Sequence, residues 1–267
     1  MIFIKIATKL EDYKAFVNFP FKLYKNSKYW VPPISNEELE MMDKSENPVF
    51  KNAEAEYFLA YKNNEIVGRI AAIVNWLEVK EQNKNKVRFG WYDVIDDLEV
   101  SKKLIEAVIK FGKERKLSFI EGPVGFSNMD KAGLLTHGFN ELSTMITWYH
   151  NPYQKEHLEK LKMKKLAEWV EYRIQIFDEQ KAPKKVKRFS DIIMKRYNLH
   201  QLNFKKTNEI EPYFDEMFEL LNQTYNTLQT FVPIQQYQVD HYKKRYLRYI
   251  HPDFIKSVAD KDGKLVA

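Results

Sequence analysis

Residues 86–124, KVRFGWYDVIDDLEVSKKLIEAVIKFGKERKLSFIEGPV, read as strand, helix and strand in succession. KVRFGWYDVI and LSFIEGPV are apolar runs. Between them, Leu98, Leu104, Ile105, Val108, Ile109 and Phe111 fall mostly on one helical face. This order predicts a parallel strand pair joined by a right-handed crossover. Upstream, EYFLAYKNNEIVGRIAAIV (56–74) places two strand-like runs around Asn63-Asn64, residues that tolerate the positive φ of a tight hairpin turn. FIKIA (3–7) alternates as a strand, and EDYKAFVNFPFKLYK (11–25) has helical spacing until Pro20, which is expected to interrupt it. Downstream, PYQKEHLEKLK (152–162) predicts a short helix opened by Pro152, and AEWVEYRIQIF (167–177) alternates as a strand. The expected class is α/β, in the α+β sense of a mixed sheet.

The chain also resembles itself. Tyr24, Trp30, Val31 and Pro32 recur as Tyr225, Phe231, Val232 and Pro233, and Asn47-Pro48-Val49-Phe50 recurs as His251-Pro252-Asp253-Phe254. Ala60, Lys62, Ile66 and Val67 fall on Ala259, Lys261, Leu265 and Val266, with Asp262-Gly263 as the turn. Three motifs in one order at nearly one offset predict a duplication. The expected organisation is a domain at 1–180, a basic helical connector at 181–200, and at 201–267 the opening part of a second domain, with Val258–Val266 a hairpin.

The 43 basic and 37 acidic residues give a mild positive excess, and only eight of the basic residues are Arg, which argues against nucleic acid as a partner. The Lys184 to Arg188 cluster reads as a solvated connector face. With no cysteine, disulfides, thiolate metal sites and cysteine nucleophiles are excluded, and the cytoplasm is the expected compartment. No run approaches the length of a membrane span. His137, His150 and His157 match no metal-ligand spacing, so no metal is expected.

The segments FPFKLYKNSKYWVPP (19–33), FGWYDVIDDLEVSKKL (89–104), GPVGFSNMDKAGLLTHGF (122–139) and YHNPYQKEHLEKL (149–161) resemble bacterial proteins of the GNAT (GCN5-related N-acetyltransferase) superfamily with two tandem units. The resemblance implies a GNAT-like fold and, for activity, N-acyl transfer from acetyl-CoA or another acyl-CoA to a small-molecule or peptide acceptor. Two departures bear on the first unit. The GNAT phosphate loop, Q/R-x-x-G-x-G/A, is replaced by Ile95-Asp96-Asp97-Leu98-Glu99, whose acids would repel a polyanion and suit a helix start. In the second motif Asn151, Glu159 and Lys160 match, but Leu158 stands at the tyrosine that serves as general acid, leaving Tyr153 as the candidate substitute. The CoA loop is therefore expected in the second unit beyond Ala267, with a non-catalytic, ligand-binding GNAT-like protein as the alternative.

Four of the eight glycines, Gly122, Gly125, Gly133 and Gly138, fall in the loop that also carries Ser127, Asn128, Asp130 and His137. Such density implies either close approach by a ligand or a packed Ω-loop with turn glycines. On the first reading, Gly122, Gly125, Ser127, Asn128, Asp130 and Asn151 are the candidate pocket residues, and the loop should border the main cavity of its unit.

Overall fold

The computed structural model describes residues 1–127, 129–144, 146–175 and 183–267. The chain divides into two units, Met1–Trp169 with Gln229–Val232, and Val170–Leu228 with Pro233–Ala267.

The first unit is a mixed α/β fold. In chain order it contains β1 (Ile2–Ile6), α1 (Leu10–Leu23), α2 (Ser35–Met42), a 3-10 turn (Pro48–Lys51), β2 (Ala53–Lys62), β3 (Glu65–Asn75), α3 (Trp76–Lys80), β4 (Lys86–Val94), α4 (Leu98–Glu114), β5 (Phe119–Glu121) and α5 (Pro152–Lys160). The sheet order is β1-β2-β3-β4-β5, antiparallel throughout except for the parallel β4–β5 pair that α4 connects. Asn63 and Asn64, at φ of 52° and 64°, make the β2–β3 turn. Its register returns Lys62 opposite Glu65, as a two-residue hairpin requires. Against one face of the sheet α4 packs Val100, Leu104, Ile105, Val108 and Phe111, with Leu158 of α5 in the same apolar cluster. The other face is covered by Phe16, Val17 and Met42 of α1 and α2.

α1 does not stop at Pro20. Proline lacks the N–H that would bond the carbonyl four residues back, so a helix running through Pro20 leaves Phe16 O without its helical donor. Arg69 Nη1, from β3, donates to that oxygen at 2.8 Å, and the same guanidinium pairs with Asp93 of β4 at 2.7 Å. A charged side chain from the sheet thus replaces the missing amide and lets the helix continue to Leu23.

β4 carries a bulge that the sequence pattern conceals. Arg69 pairs with Asp93 and Ala71 with Gly90, so Trp91 and Tyr92 together oppose Ile70, and Trp91 takes φ of 48°. Two residues facing one reverse the alternation beyond that point. Val87 and Phe89 before the bulge, and Tyr92 and Val94 after it, join the α4-side cluster, whereas Trp91 is turned toward α1 and α2.

The strand expected at 167–177 is corrected. Residues 167–175 form no strand, and Ile176 and Phe177 lie outside the described residues. Trp169, Val170, Tyr172 and Ile174 are exposed, so alternation here is not matched by a sheet edge that would pair with it.

The second unit holds α6 (Lys184–Arg196), β6 (His200–Leu202), α7 (Phe214–Tyr225), α8 (Gln236–Tyr246) and β7 (Ser257–Ala259), with β6 and β7 antiparallel. Ile210, Phe214, Phe218, Ile234, Val239 and Leu247 form its core. From β7 the chain folds back, Val266 N donating to Val258 O at 2.9 Å. This return spans Asp260 to Lys264, with only Gly263 at positive φ, and is wider than a two-residue turn.

Candidate functional site

The loop after β5 is shaped by its contacts with β4. A Cβ on Gly122 would stand 2.3 Å from Phe89 O, and one on Gly125 would stand 2.3 Å from Asp130 Cβ. These two glycines are needed for loop-to-strand and loop-to-loop approach, which is the packed-loop reading of the cluster. Gly122→Ala is expected to destabilise the protein by about 3 kcal/mol, because backbone rather than a movable side chain blocks the methyl. Urea denaturation checks this, and a variant within about 0.5 kcal/mol of the parent would contradict the geometry.

Within the loop Ser127 N donates to Asp130 Oδ2 at 2.9 Å and Ser127 Oγ to the same oxygen at 3.4 Å. Asp130 as a residue is only partly buried, yet its carboxyl group is enclosed. Burial raises its pKa above the ordinary aspartate value, against the opposing pull of the Ser127 amide and the Arg88 charge. A cavity of about 440 Å³ in this unit is lined by Lys44, Asn47, Phe50 and Glu54, and Phe50 packs edge-on against Phe126 of the loop, with ring centroids 5.2 Å apart. Asn128 lies outside the described residues.

The groups nearest to a site lie where the bulge turns Trp91. Its Nε1 donates to Glu38 Oε2 of α2 at 2.6 Å, and Lys131 stands 3.7 Å from Glu38 Oε1. Glu38 is buried, and Trp91 packs edge-on against Tyr57, Phe126 and Trp148. The Tyr57 hydroxyl is fully buried and has no hydrogen-bond partner among the described residues. Burial pushes its pKa well up, and the phenol also feels the negative charges of Asp130 and Glu38. Two carboxyl groups and an unspent hydroxyl are thus gathered among aromatic rings. Sequence reasoning named Asp130 but missed Glu38 and Tyr57, since one glutamate in SNEELEMM and one tyrosine in an apolar strand carry no distinguishing pattern.

Asn151 and Tyr153 are placed elsewhere, against the α4-side cluster. Asn151 caps α5, its N–H donating to Gln154 Oε1 at 2.7 Å, and its Nδ2 donates to Tyr153 Oη at 3.1 Å. Tyr153 in turn donates to Val94 O at 2.8 Å, and burial pushes its pKa up to about 12. The phenol is therefore protonated at neutral pH, but its proton is held by a strand carbonyl.

The head of α4 is closed by the chain's own acids. Asp97 is the N-cap: its carboxylate accepts from Glu99 N at 3.0 Å and from Lys62 Nζ at 2.9 Å, which holds its pKa below the usual range. Asp96 accepts from His157 Nε2 at 3.2 Å, while His157 Nδ1 lies 2.8 Å from Ser101 Oγ, which accepts from Tyr92 at 2.7 Å. Ser101 is fully buried, so this Asp–His–Ser line braces α4 against α5 and offers no nucleophile. With a carboxylate already on the terminal amides, these residues do not fit an acyl-CoA pyrophosphate. Leu158, buried in the core, supplies no proton. Among the described residues no group of three or more His, Asp or Glu could hold a metal, and no helix is long and apolar enough to cross a membrane.

No protein-family model matches the chain. It is 28% identical over 252 residues to Protein YghO of Escherichia coli (strain K12), covering 94% of this chain and 63% of that protein. It is also 28% identical over 142 residues to Bacterial ceramide synthase of Caulobacter vibrioides (strain NA1000 / CB15N), covering 53% of this chain and 37% of that enzyme. The chain thus spans less than two thirds of the length of these curated relatives. Among solved structures, a predicted acetyltransferase with acetyl-CoA from Clostridium acetobutylicum matches with a TM-score of 0.42 and 12% identity, over 65% of this chain and 96% of that one. An aminoglycoside acetyltransferase from an uncultured soil metagenomic sample, in complex with sisomicin, matches at 0.40 and 14%, over 66% and 97%.

Proposed function

We propose that the protein is a GNAT-type N-acyltransferase whose first unit receives the amine acceptor, and whose acyl-CoA phosphates are held by a part of the protein other than the head of α4. The observation that carries this reading is the enclosed set of Glu38, Asp130 and the unpartnered Tyr57 hydroxyl among aromatic rings at the β4 bulge. Carboxylates hold an ammonium and can take its proton, and aromatic faces suit a cationic or apolar body. Similarity to an enzyme named a ceramide synthase supports a lipidic amine, because a ceramide is the amide of a long-chain base.

The test is amide formation from a long-chain acyl-CoA and a long-chain primary amine by the protein at the length of its relatives, followed by mass spectrometry. Glu38→Gln should lower kcat/KM about a hundredfold with the fold intact by circular dichroism. Absence of amide with every amine tried would overturn the reading.

The second reading, a non-catalytic ligand-binding protein, is favoured by the Asp97 cap and by Leu158. It makes the same prediction for these 267 residues alone as the first: calorimetric titration with acetyl-CoA should show no saturable heat at micromolar concentration. Saturable binding that tightens in Asp97→Asn, which keeps an N-cap and removes a charge that repels phosphate, would show that α4 does hold the phosphates.

We also read the second unit as repeating the opening of the first. Supporting this, β6 and β7 pair as β1 and β2 do, with His200 opposite Ala259 and Ile4 opposite Ala60. His251 Nδ1 accepts from Asp253 N as Asn47 Oδ1 accepts from Val49 N, each capping the 3-10 turn before its strand.

A further inference from the structure

α6 has the composition of a helix made to lie on a surface. Val186, Phe189, Ile193 and Tyr197 follow at spacings of three and four residues, which places them along one side. Every one is exposed, at 61%, 54%, 49% and 59%, and no residue of the helix is buried. The remaining surface is strongly basic: Lys184, Lys185, Lys187, Arg188, Lys195 and Arg196 stand against the single acid Asp191. Lys185 and Arg196 lie along one edge of the apolar side, and Lys184, Lys187, Arg188 and Lys195 lie largely opposite it, with the exposed Ile192 beside them. In the same unit Val170, Tyr172 and Ile174 are also exposed.

We infer that α6 is a membrane-surface helix that docks the protein onto a bilayer rich in anionic lipid. A solvated connector would need neither phenylalanine nor isoleucine on its open side, and a helix covered by protein core would not carry six cations around its apolar side. A dense Lys/Arg face opposite a narrow aromatic-aliphatic one, on a helix that is polar along most of its surface, is the signature of helices that bury one side to the depth of the headgroup–acyl boundary. The cations then face phosphate, and Lys185 and Arg196 can extend their stems along the apolar side while keeping their charges at the headgroups. Nucleic acid would satisfy the charges but leave the apolar side in water, so the membrane accounts for both halves of the helix. This inference does not depend on the acyltransferase reading, although a lipidic acceptor would be met at such a surface.

Co-sedimentation of the whole chain with vesicles tests it, comparing phosphatidylcholine alone with a mixture containing about one third phosphatidylglycerol. Binding to the anionic vesicles is expected to be at least about tenfold stronger and to weaken as salt is raised. Phe189→Glu with Ile193→Glu should abolish it, as should Lys187→Glu with Arg188→Glu. All four side chains are exposed, so the fold should survive, which circular dichroism checks. Failure to sediment with anionic vesicles would overturn the proposal, and so would equal binding to neutral ones. Binding untouched by Phe189→Glu with Ile193→Glu would overturn it too, by showing that the charges act alone, as on nucleic acid. A doubled mass in light scattering, lost in that apolar variant, would instead show that a second copy of the chain covers the face.

Discussion

Glu78→Gln is expected to cost about 3–5 kcal/mol of stability, the usual penalty for leaving a buried charge without its partner. Glu78 accepts from Arg88 Nε at 2.6 Å and lies 3.0 Å from Lys86 Nζ, and all three side chains are sealed within the first unit. Lys86 keeps a second partner in Glu121 at 2.8 Å, but Arg88 has no other carboxylate in its ion-pair set among the described residues. An amide preserves the shape and removes the charge, so the loss isolates electrostatics from packing. Burial by itself would raise the Glu78 pKa, yet Arg88 and Lys86 outweigh it and leave it below the ordinary value. A depressed folded-state pKa means that this contribution is present above about pH 4.5 and is lost as the pH falls below that. Guanidinium denaturation at neutral pH would measure the effect. Replacing Glu78 and Arg88 together by methionine should recover most of the loss, because a well-packed apolar pair often matches a buried ion pair. A single variant as stable as the parent would show that the cluster is wetter than the geometry indicates.

The second large effect is acid destabilisation through His150. It is fully buried, with Nδ1 accepting from Leu135 N at 3.2 Å, and burial lowers its pKa to about 4 against an attractive contribution from Asp93. The unfolded chain takes up this proton near pH 6.5, whereas the folded protein resists it until about pH 4. Stability is therefore complete above the unfolded value and declines by about 3 kcal/mol as the pH falls across that interval. His150→Gln should flatten this part of the stability–pH curve whatever its effect at neutral pH, since the slope counts protons and not contacts. Equal slopes for parent and variant between pH 6.5 and 4 would assign the acid loss to other groups. This window lies above the one in which Glu78 acts, so the two effects separate on one titration.

Much of the first unit was legible in its residues. Apolar runs gave β2, β3 and β4, Asn63-Asn64 gave the hairpin turn, and the apolar stripe from Leu98 to Phe111 gave α4, although Leu98 itself is exposed and Val100 is buried instead. The acids Asp96, Asp97 and Glu99 suit a helix start, and Asp97 is the cap. Such features are local: a period, a turn conformation or a cap depends on neighbours within a few residues, so the sequence states them outright.

What the sequence could not state depends on residues far apart along the chain. Pro20 stops a helix unless something replaces its hydrogen bond, and Arg69, 49 positions on, does so. The β4 bulge is a matter of register between two strands, and it alone turns Trp91 toward Glu38. The density of glycine around Gly122 and Gly125 left ligand approach and a packed loop both open, and only the fold shows the strand and loop atoms that a Cβ at either would meet. The alternation at 167–177 predicts a strand, yet residues 167–175 pair with no strand. The sequence by itself determined which segments fold into which elements; only the tertiary structure decided which side chains meet, because burial and register arise from contacts between segments that the linear pattern does not order.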